Sequence, residues 1–492
     1  MRRWLRRIRQ IVLLILVALT ILAGVLVSNT INHGSHQIAV AAVPPAPVDV
    51  DAAAQRLSQA IRFKTVSDAS DPSANAAEFA ALHDHIASSF PAFHAVAKRE
   101  AIGAFSLLYT WEGSDPAAPP IALLAHQDVV PIAPGTDGDW QAPPFEGAVR
   151  DGFIWGRGSW DDKGNLFAML EAAEALAKDG YRPRQTIYFA FGHDEEVGGV
   201  RGAKAIAATL QSRGIRLGFV LDEGLLITDG ILKGIDKPVA LIGVAEKGYS
   251  TLLLKASGQP GHASLPPRHT AIGDVASAIA RLEANPFPAS IGGAARAMFD
   301  VVAPEMQPIN RLVLSNLWLF RPLVQRQLEA GPATAAMLRT TTAPTIFNAG
   351  NKDNVLPGHA EAAVNFRLLP GDTQASVTAR VRQVIGNERV TIAPQPGNTD
   401  PPPITPAAGD AWHLMNRTVR EIFPSVVVAP GLMVATTDSR HYAGLTDNIF
   451  RFSPVWAKED DLGRFHGTNE RLSVANYADM IRFYRRLIEN TR

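Results

Sequence analysis

The strongest constraint in this chain is a set of short, almost wholly apolar runs separated by helical stretches. Residues 121–125, 186–191 and 217–221 are such runs, and residues 165–178 and 201–211 between them have helical composition. A strand without polar alternation is buried on both faces. Strands that alternate with helices give an α/β sheet. The chain is therefore predicted to build a mainly parallel sheet covered by helices on both faces, with its chemistry just past the carboxyl ends of the strands.

A second pattern begins near Tyr249. A strand is expected at 249–257 and a helix at 271–284, striped by Ile272, Val275, Ile279 and Leu282. Strands follow at 345–349 and 361–368, a helix over 377–385 and a strand at 389–393. The order β-α-β-β-α-β matches a ferredoxin-like plan. A partly helical stretch, 286–342, interrupts it. The turn-rich stretch 394–406, containing Pro401-Pro402-Pro403, returns the chain to a helix from 410, a strand at 448–452 and a last helix at 474–489. The expected divisions are 1–27 and 28–50, then a first body part at 51–247, an inserted unit at 248–398, and a second body part at 399–492.

The first residues are a separate object. Arg2, Arg3, Arg6, Arg7 and Arg9 precede an uncharged apolar run at 11–27. As a helix this run spans about 26 Å, close to a bilayer core of ~27–30 Å. The arginines are expected to stay on the cytoplasmic side and place the body beyond the membrane. The run is longer than a usual signal-peptide core. An uncleaved anchor is therefore the primary reading, with a secretory signal cut near Ala39-Val40-Ala41 as the alternative. Residues 28–50, with Pro44-Pro45-Ala46-Pro47, read as a tether.

Composition narrows the chemistry. Lys+Arg and Asp+Glu are each 47, so no general positive field is available to hold nucleic acid. Cysteine is absent, which excludes disulfides, thiolate-bound metal and a thiol nucleophile. Any metal must be held by His, Asp and Glu.

Those residues gather at the strand ends. His126-Gln127-Asp128 follows the first run, Gly192-His193-Asp194-Glu195-Glu196 the second and Asp222-Glu223-Gly224 the third. Asp161-Asp162 opens a helix, and Phe465-His466-Gly467 follows the late strand. Singly, such pairs are helix caps or solvated surface. Brought into one cleft, the carboxylates would repel and raise one another's pKa, which a pair of divalent cations relieves. Two histidines with several carboxylates suit two Zn²⁺, with Co²⁺ or Mn²⁺ as alternatives.

These motifs resemble a known family. His126-Gln127-Asp128-Val129-Val130-Pro131, Trp155-Gly156-Arg157-Gly158 with Asp161-Asp162-Lys163-Gly164, Asp194-Glu195-Glu196-Val197-Gly198-Gly199 and Gly261-His262-Ala263-Ser264 are similar to those of the di-zinc exopeptidases and deacylases. That group includes carboxypeptidase S, the aminoacylases, acetylornithine deacetylase and succinyl-diaminopimelate desuccinylase. The forms around Glu195, Glu223 and His466 resemble most the branch of carboxypeptidase S and the N-fatty-acyl-amino-acid hydrolases.

The resemblance implies His126 on one zinc, His466 and Glu196 on the other, and Asp161 between them. It implies Glu195 as general base, Asp128 orienting His126, and His262 steadying an oxyanion from an inserted lid domain across a dimer interface. The remaining ligand is Glu223 or Asp222, because adjacent strand residues point oppositely. Asn354, Arg367 and Arg440 resemble positions near a substrate carboxylate, where an arginine fork fits.

The expected function is hydrolysis of an amide whose amine side is a free amino acid, in a short peptide or an N-acyl amino acid. The alternatives are a non-catalytic receptor or interaction module on this scaffold and a biosynthetic deacylase.

Overall fold

The computed structural model describes residues 2–41 and 43–491, and the Arg2 side chain of the N-terminal basic cluster lies outside the described residues. A long helix, α1 (Arg2–Asn32), comes first. It is exposed along most of its length, and among the described residues it alone is long and apolar enough to cross a membrane.

The main sheet has eight strands: β1 (Ala97–Ile102), β2 (Ser106–Trp111), β3 (Ile121–His126), β6 (Ile187–Gly192), β7 (Phe219–Thr228), β8 (Val239–Glu246), β15 (Val427–Met433) and β16 (Ile449–Ala457). Their spatial order is β1-β2-β6-β3-β7-β16-β8-β15. The three apolar runs read from the sequence are β3, β6 and β7, and with β16 they form a parallel centre.

The sheet as a whole is mixed rather than mainly parallel. The β1–β2 hairpin joins β6 antiparallel, and β8 folds back antiparallel on β7. The edge strand β1 reads Ala-Lys-Arg-Glu-Ala-Ile. That polarity keeps an edge from pairing with other chains, and it also hides the strand from a search for apolar runs.

Both faces of the central strands are buried. Ile121, Leu123 and Ala125 pack into one core and Ala122 and Leu124 into another on the opposite face. On the first face lie α2 (Val50–Ile61), α3 (Ala76–Ser89), α4 (Pro91–Val96), α5 (Lys163–Lys178), α13 (Asp410–Ile422) and α14 (Val474–Asn490). Helix α6 (Ala203–Ser212) covers the second. A small sheet of β4 (Val149–Arg150), β5 (Phe153–Trp155) and β17 (Arg471–Ser473) pairs Trp155 with Arg471. Its consequence is local: the loops 156–162 and 465–470 leave the same pair of strands and lie side by side.

Between β8 and α13 the chain forms a second, wholly antiparallel sheet of β9 (Gly248–Ser257), β11 (Thr341–Ala349), β13 (His359–Leu368) and β14 (Val390–Pro394), in the order β11-β13-β9-β14. Helices α7 (Ala271–Ala284) and α12 (Gln374–Ile385) share one core with it. A two-stranded ribbon of β10 (Gly261–His262) and β12 (Val355–Leu356) stands apart. The stretch after α7 contains α8 (Gly293–Val302), α9 (Pro308–Ser315), α10 (Leu317–Glu329) and α11 (Pro332–Ala336), of which α8, α9 and α10 build a core of their own against β8 and β15.

Candidate active site

The ends of β3 and β6 are neighbours, His126 standing opposite Gly192. This pairing sets the His126 imidazole beside the turn 193–198. Asp128 fixes both. Its carboxylate accepts the Glu195 and Glu196 backbone N–H groups, each at 3.1 Å, and the Ser67 hydroxyl at 2.6 Å. His126 Nδ1 faces the Asp128 backbone carbonyl at 2.9 Å, which leaves Nε2 aimed at Asp161.

Asp161 lies between two imidazoles. Its Oδ1 is 2.9 Å from His126 Nε2 and its Oδ2 is 2.8 Å from His466 Nε2. Glu196 Oε2 lies 3.4 Å from His466 Nε2, and its Oε1 is buried with no hydrogen-bond partner. Ligand atoms of His126, Asp161 and Glu196 all fall within 4.8 Å of one another. His466 adopts a left-handed backbone at φ 57° and stacks on Phe465 at 4.5 Å.

Strand β7 bends where its register with β16 breaks, after Asp222. Gly224 follows at φ 145°, with a Cβ there falling 2.9 Å from the Arg451 Cβ. The two acids on this bend diverge. Asp222 accepts the Ser439 N–H at 2.6 Å and the Glu223 N–H at 3.0 Å. The Glu223 carboxylate makes no hydrogen bond among the described residues and lies in the field of Asp161, Asp162 and Glu195.

The electrostatics are frustrated. Burial pushes Glu223 well up, reinforced by Asp161 and Asp162, and pushes Glu195 well up, reinforced by Asp438 and Glu196. Burial and Asp161 also raise Glu196. Burial would raise Asp161 too, but His126 and His466 outweigh it and hold that carboxyl below its ordinary range. Asp161 and Glu196 in turn raise His466 to about 10. Two imidazoles do not balance this many buried acids. The donor set of histidine nitrogens and carboxylate oxygens, with one unpartnered buried oxygen, fits divalent cations.

The residues expected near a substrate separate into two groups. Arg440 donates to the Gly198 carbonyl at 2.8 Å, beside the turn that carries Glu195 and Glu196. The Arg367 guanidinium lies 4.8 Å over the Tyr249 ring and makes no hydrogen bond among the described residues. Burial and the nearby Arg440 charge depress its pKa, and Glu195 acts against them. His262 and Asn354 are not brought to the cluster. Both are exposed, on or beside the β10–β12 ribbon, where His262 Nδ1 meets the Ser264 hydroxyl at 2.7 Å.

Sequence reasoning missed Glu470. One of its carboxylate oxygens accepts the backbone N–H groups of Gly158, Trp160 and Asp161 at 2.9, 3.0 and 3.1 Å. The other pairs with Arg157 at 2.6 Å. Glu470 therefore ties the Asp161 loop to the His466 loop. Asp438 was also missed as part of the buried acid cluster, which Asp162 of the helix-opening pair joins as well; burial raises both well above the usual range. The only sequence signal for Glu470 was its place four residues after His466 in an acid-bearing loop.

A family model described as peptidase family M20/M25/M40 matches residues 122–490. The human N-fatty-acyl-amino acid synthase/hydrolase PM20D1 is 40% identical over 493 residues, covering 98% of this chain and 97% of that protein. Carboxypeptidase S of Saccharomyces cerevisiae is 32% identical over 488 residues, covering 89% and 83%. Among solved structures, the M20 family metallo-carboxypeptidase Sso-CP2 from Sulfolobus solfataricus superposes with a TM-score of 0.64 at 17% identity, covering 89% of this chain and 99% of that one.

Proposed function

The chain belongs to the M20/M25/M40 peptidase family, enzymes of the metallo-carboxypeptidase and amidohydrolase type, and from that premise we propose a membrane-tethered di-zinc hydrolase that cuts the amide bond to a free amino acid. The observation that carries the reading is Asp161 held between His126 and His466 in a pocket of uncompensated carboxylates. His126, Asp161 and Glu223 would hold one ion, and His466, Asp161 and Glu196 the other. Glu223 is preferred over Asp222 because the Asp222 oxygens are occupied by the Ser439 and Glu223 N–H groups. The ions would supply a Lewis-acid contact to the scissile carbonyl and an acidified water.

The protein's own groups do the rest. Glu195, its backbone pinned by Asp128, takes a proton from the attacking water and delivers it to the leaving amine. Arg367, stacked but without a hydrogen bond, offers its fork to the substrate carboxylate, and Arg440 holds the Glu195 turn and adds to the positive field there. The second sheet serves as a lid. His262 and Asn354, exposed on its ribbon, would reach a site across a dimer interface, His262 steadying the oxyanion. Helix α1 stays as the anchor, with the body on the extracytoplasmic side.

A carboxypeptidase and an N-fatty-acyl-amino acid hydrolase both cut an amide to an amino acid, and both uses fit this arrangement. The test is release of free amino acid from N-blocked dipeptides and from N-long-chain-acyl amino acids, by the parent and by Glu195→Gln. Turnover of at least one class by the parent, lost in the variant with both ions retained, supports the reading. An intact, zinc-loaded parent that turns over neither class refutes it.

A further inference from the structure

The C-terminal end of α1 is not a free tether. Asn316 donates to the Leu26 carbonyl at 3.0 Å and the Thr30 hydroxyl at 3.2 Å, and accepts from the Asn29 amide at 2.9 Å. Arg311 donates to the Thr30 and His33 carbonyls, both at 3.2 Å. The His33 ring is held between the Ser315 hydroxyl and the Asp300 carbonyl. The last two turns of α1 are thus docked on α9 and its junction with α10. Leu26 is the penultimate residue of the apolar run 11–27. The level at which that run leaves a bilayer is therefore the level of Asn316.

Helix α10 begins at the next residue. It buries Leu317 and Val324 against its own core and exposes Trp318 (61%), Leu319 (38%) and Leu323 (60%) on its other side. Arg326 is exposed along the same helix, whereas the Arg321 guanidinium is held by the Ile291 carbonyl at 2.6 Å, and Ile309 is 79% exposed on α9. The Trp318 indole N–H donates to Asn316 at 3.2 Å, so its polar edge points toward the α1 junction while the rest of the ring stays uncovered. An exposed apolar face with an exposed arginine and a boundary tryptophan has the composition of a helix lying in a membrane interface.

We propose that α10, with the adjoining end of α9, rests in the headgroup layer of the bilayer that α1 enters, with Trp318, Leu319 and Leu323 immersed and Arg326 meeting lipid phosphates. This rests on α1 remaining as the anchor. It turns a swinging tether into two fixed points of contact. The body then has one orientation, close to the leaflet into which an N-long-chain-acyl amino acid partitions.

The absence of cysteine makes the test direct. Full-length Leu323→Cys, Leu16→Cys and Val96→Cys variants each carry a nitroxide in vesicles of phosphatidylcholine with phosphatidylglycerol. Val96 immediately precedes β1, the sheet edge opposite β15, and is 45% exposed. Collision with oxygen, which partitions into lipid, is compared with collision with a water-soluble nickel chelate. The expected result is oxygen-dominated relaxation at position 16, the same at a shallower depth at 323, and nickel-dominated relaxation at 96. Nickel-dominated relaxation at 323 with oxygen dominance at 16 overturns the proposal and leaves the anchor standing. Nickel dominance at both overturns the anchor and the proposal together. Spin–spin broadening at 323, with shielding from both agents, overturns it in favour of a second copy covering this face.

Discussion

Glu470→Gln tests how the two halves of the site are held together. The parent carboxylate accepts three backbone N–H groups on one oxygen and Arg157 at 2.6 Å on the other. Both side chains are almost wholly buried. Glutamine keeps one carbonyl for the backbone but sets an amide N–H against the guanidinium. Breaking one side of a buried pair costs about 3–5 kcal/mol. The lower end applies here, because Arg157 retains the His466 carbonyl at 3.2 Å and the Trp140 ring at 5.4 Å. The expected loss is therefore about 3 kcal/mol, read by urea unfolding in detergent. Asp161, whose N–H Glu470 accepts at 3.1 Å, shifts as the amide moves away from the Arg157 guanidinium. A shift of about 1 Å in a reacting geometry costs on the order of 10²-fold in rate, so kcat/KM is expected to fall by that factor. In the double variant Arg157→Met/Glu470→Gln the stranded charge is gone, and most of the stability is expected to return. A cycle with coupling below about 0.5 kcal/mol, or a single variant with parental rate and stability, would falsify the claim that this pair sets the Asp161 loop.

Four further outcomes follow from the same site and its surroundings. Glu195→Gln is expected to lower kcat by about 10²–10⁴-fold with metal content unchanged by elemental analysis; loss of ions along with turnover makes Glu195 a ligand instead. Asp161→Asn should lose both ions and His466→Ala one, and equal stoichiometries in the two variants contradict an Asp161 shared between sites. Arg367→Met is expected to lower kcat/KM for free-acid substrates by about 10–100-fold, the scale of a charge-assisted hydrogen bond, and to leave C-terminally amidated analogues unaffected; an equal effect on both removes the clamp assignment. Burial lowers the Lys247 pKa from 10.5 to about 8. Its charged form therefore disfavours the fold below pH 8 by at most about 3 kcal/mol, a penalty relieved as pH rises toward 10.5. Lys247→Met should be stabilising relative to the parent at pH 7 and lose that advantage by pH 10, whereas a pH-independent difference in urea midpoints refutes it.

The strand ends were legible because burial on both faces leaves apolar runs with abrupt polar ends, as in Ile121–His126 and Ile187–Gly192. His126, Asp161, Glu196 and His466 converge in space although they are far apart in the chain. The outer strands of the sheet were not legible. Strand β1 is polar, and β8 and β15 owe their places to a sheet edge packed by the helices inserted after α7. Arg451 shows a different failure. It sits fully buried in the strand read at 448–452, paired with the equally buried Glu246. Only the pairing of β16 with β8 brings the two charges together, and no local periodicity reports a partner two hundred residues away.

The choice between Glu223 and Asp222 turns on the same kind of long-range contact. Pleat geometry requires adjacent residues to point oppositely but does not say which one faces the cleft. The preference for Glu223 rests on residues more than two hundred positions later: the Ser439 N–H captures Asp222. Thr437 and Ser439 are in turn held by Glu246, the partner of Arg451. A buried ion pair with no place in the chemistry thus fixes the turn that occupies one acid, and the neighbouring acid is left facing Asp161 without a donor. Replacing Ser439 by proline removes that N–H and should free Asp222. If metal stoichiometry and affinity then stay at parental values while Glu223→Gln alone weakens binding, Glu223 is the ligand; if Glu223→Gln has no effect on binding in the parent, the assignment reverses.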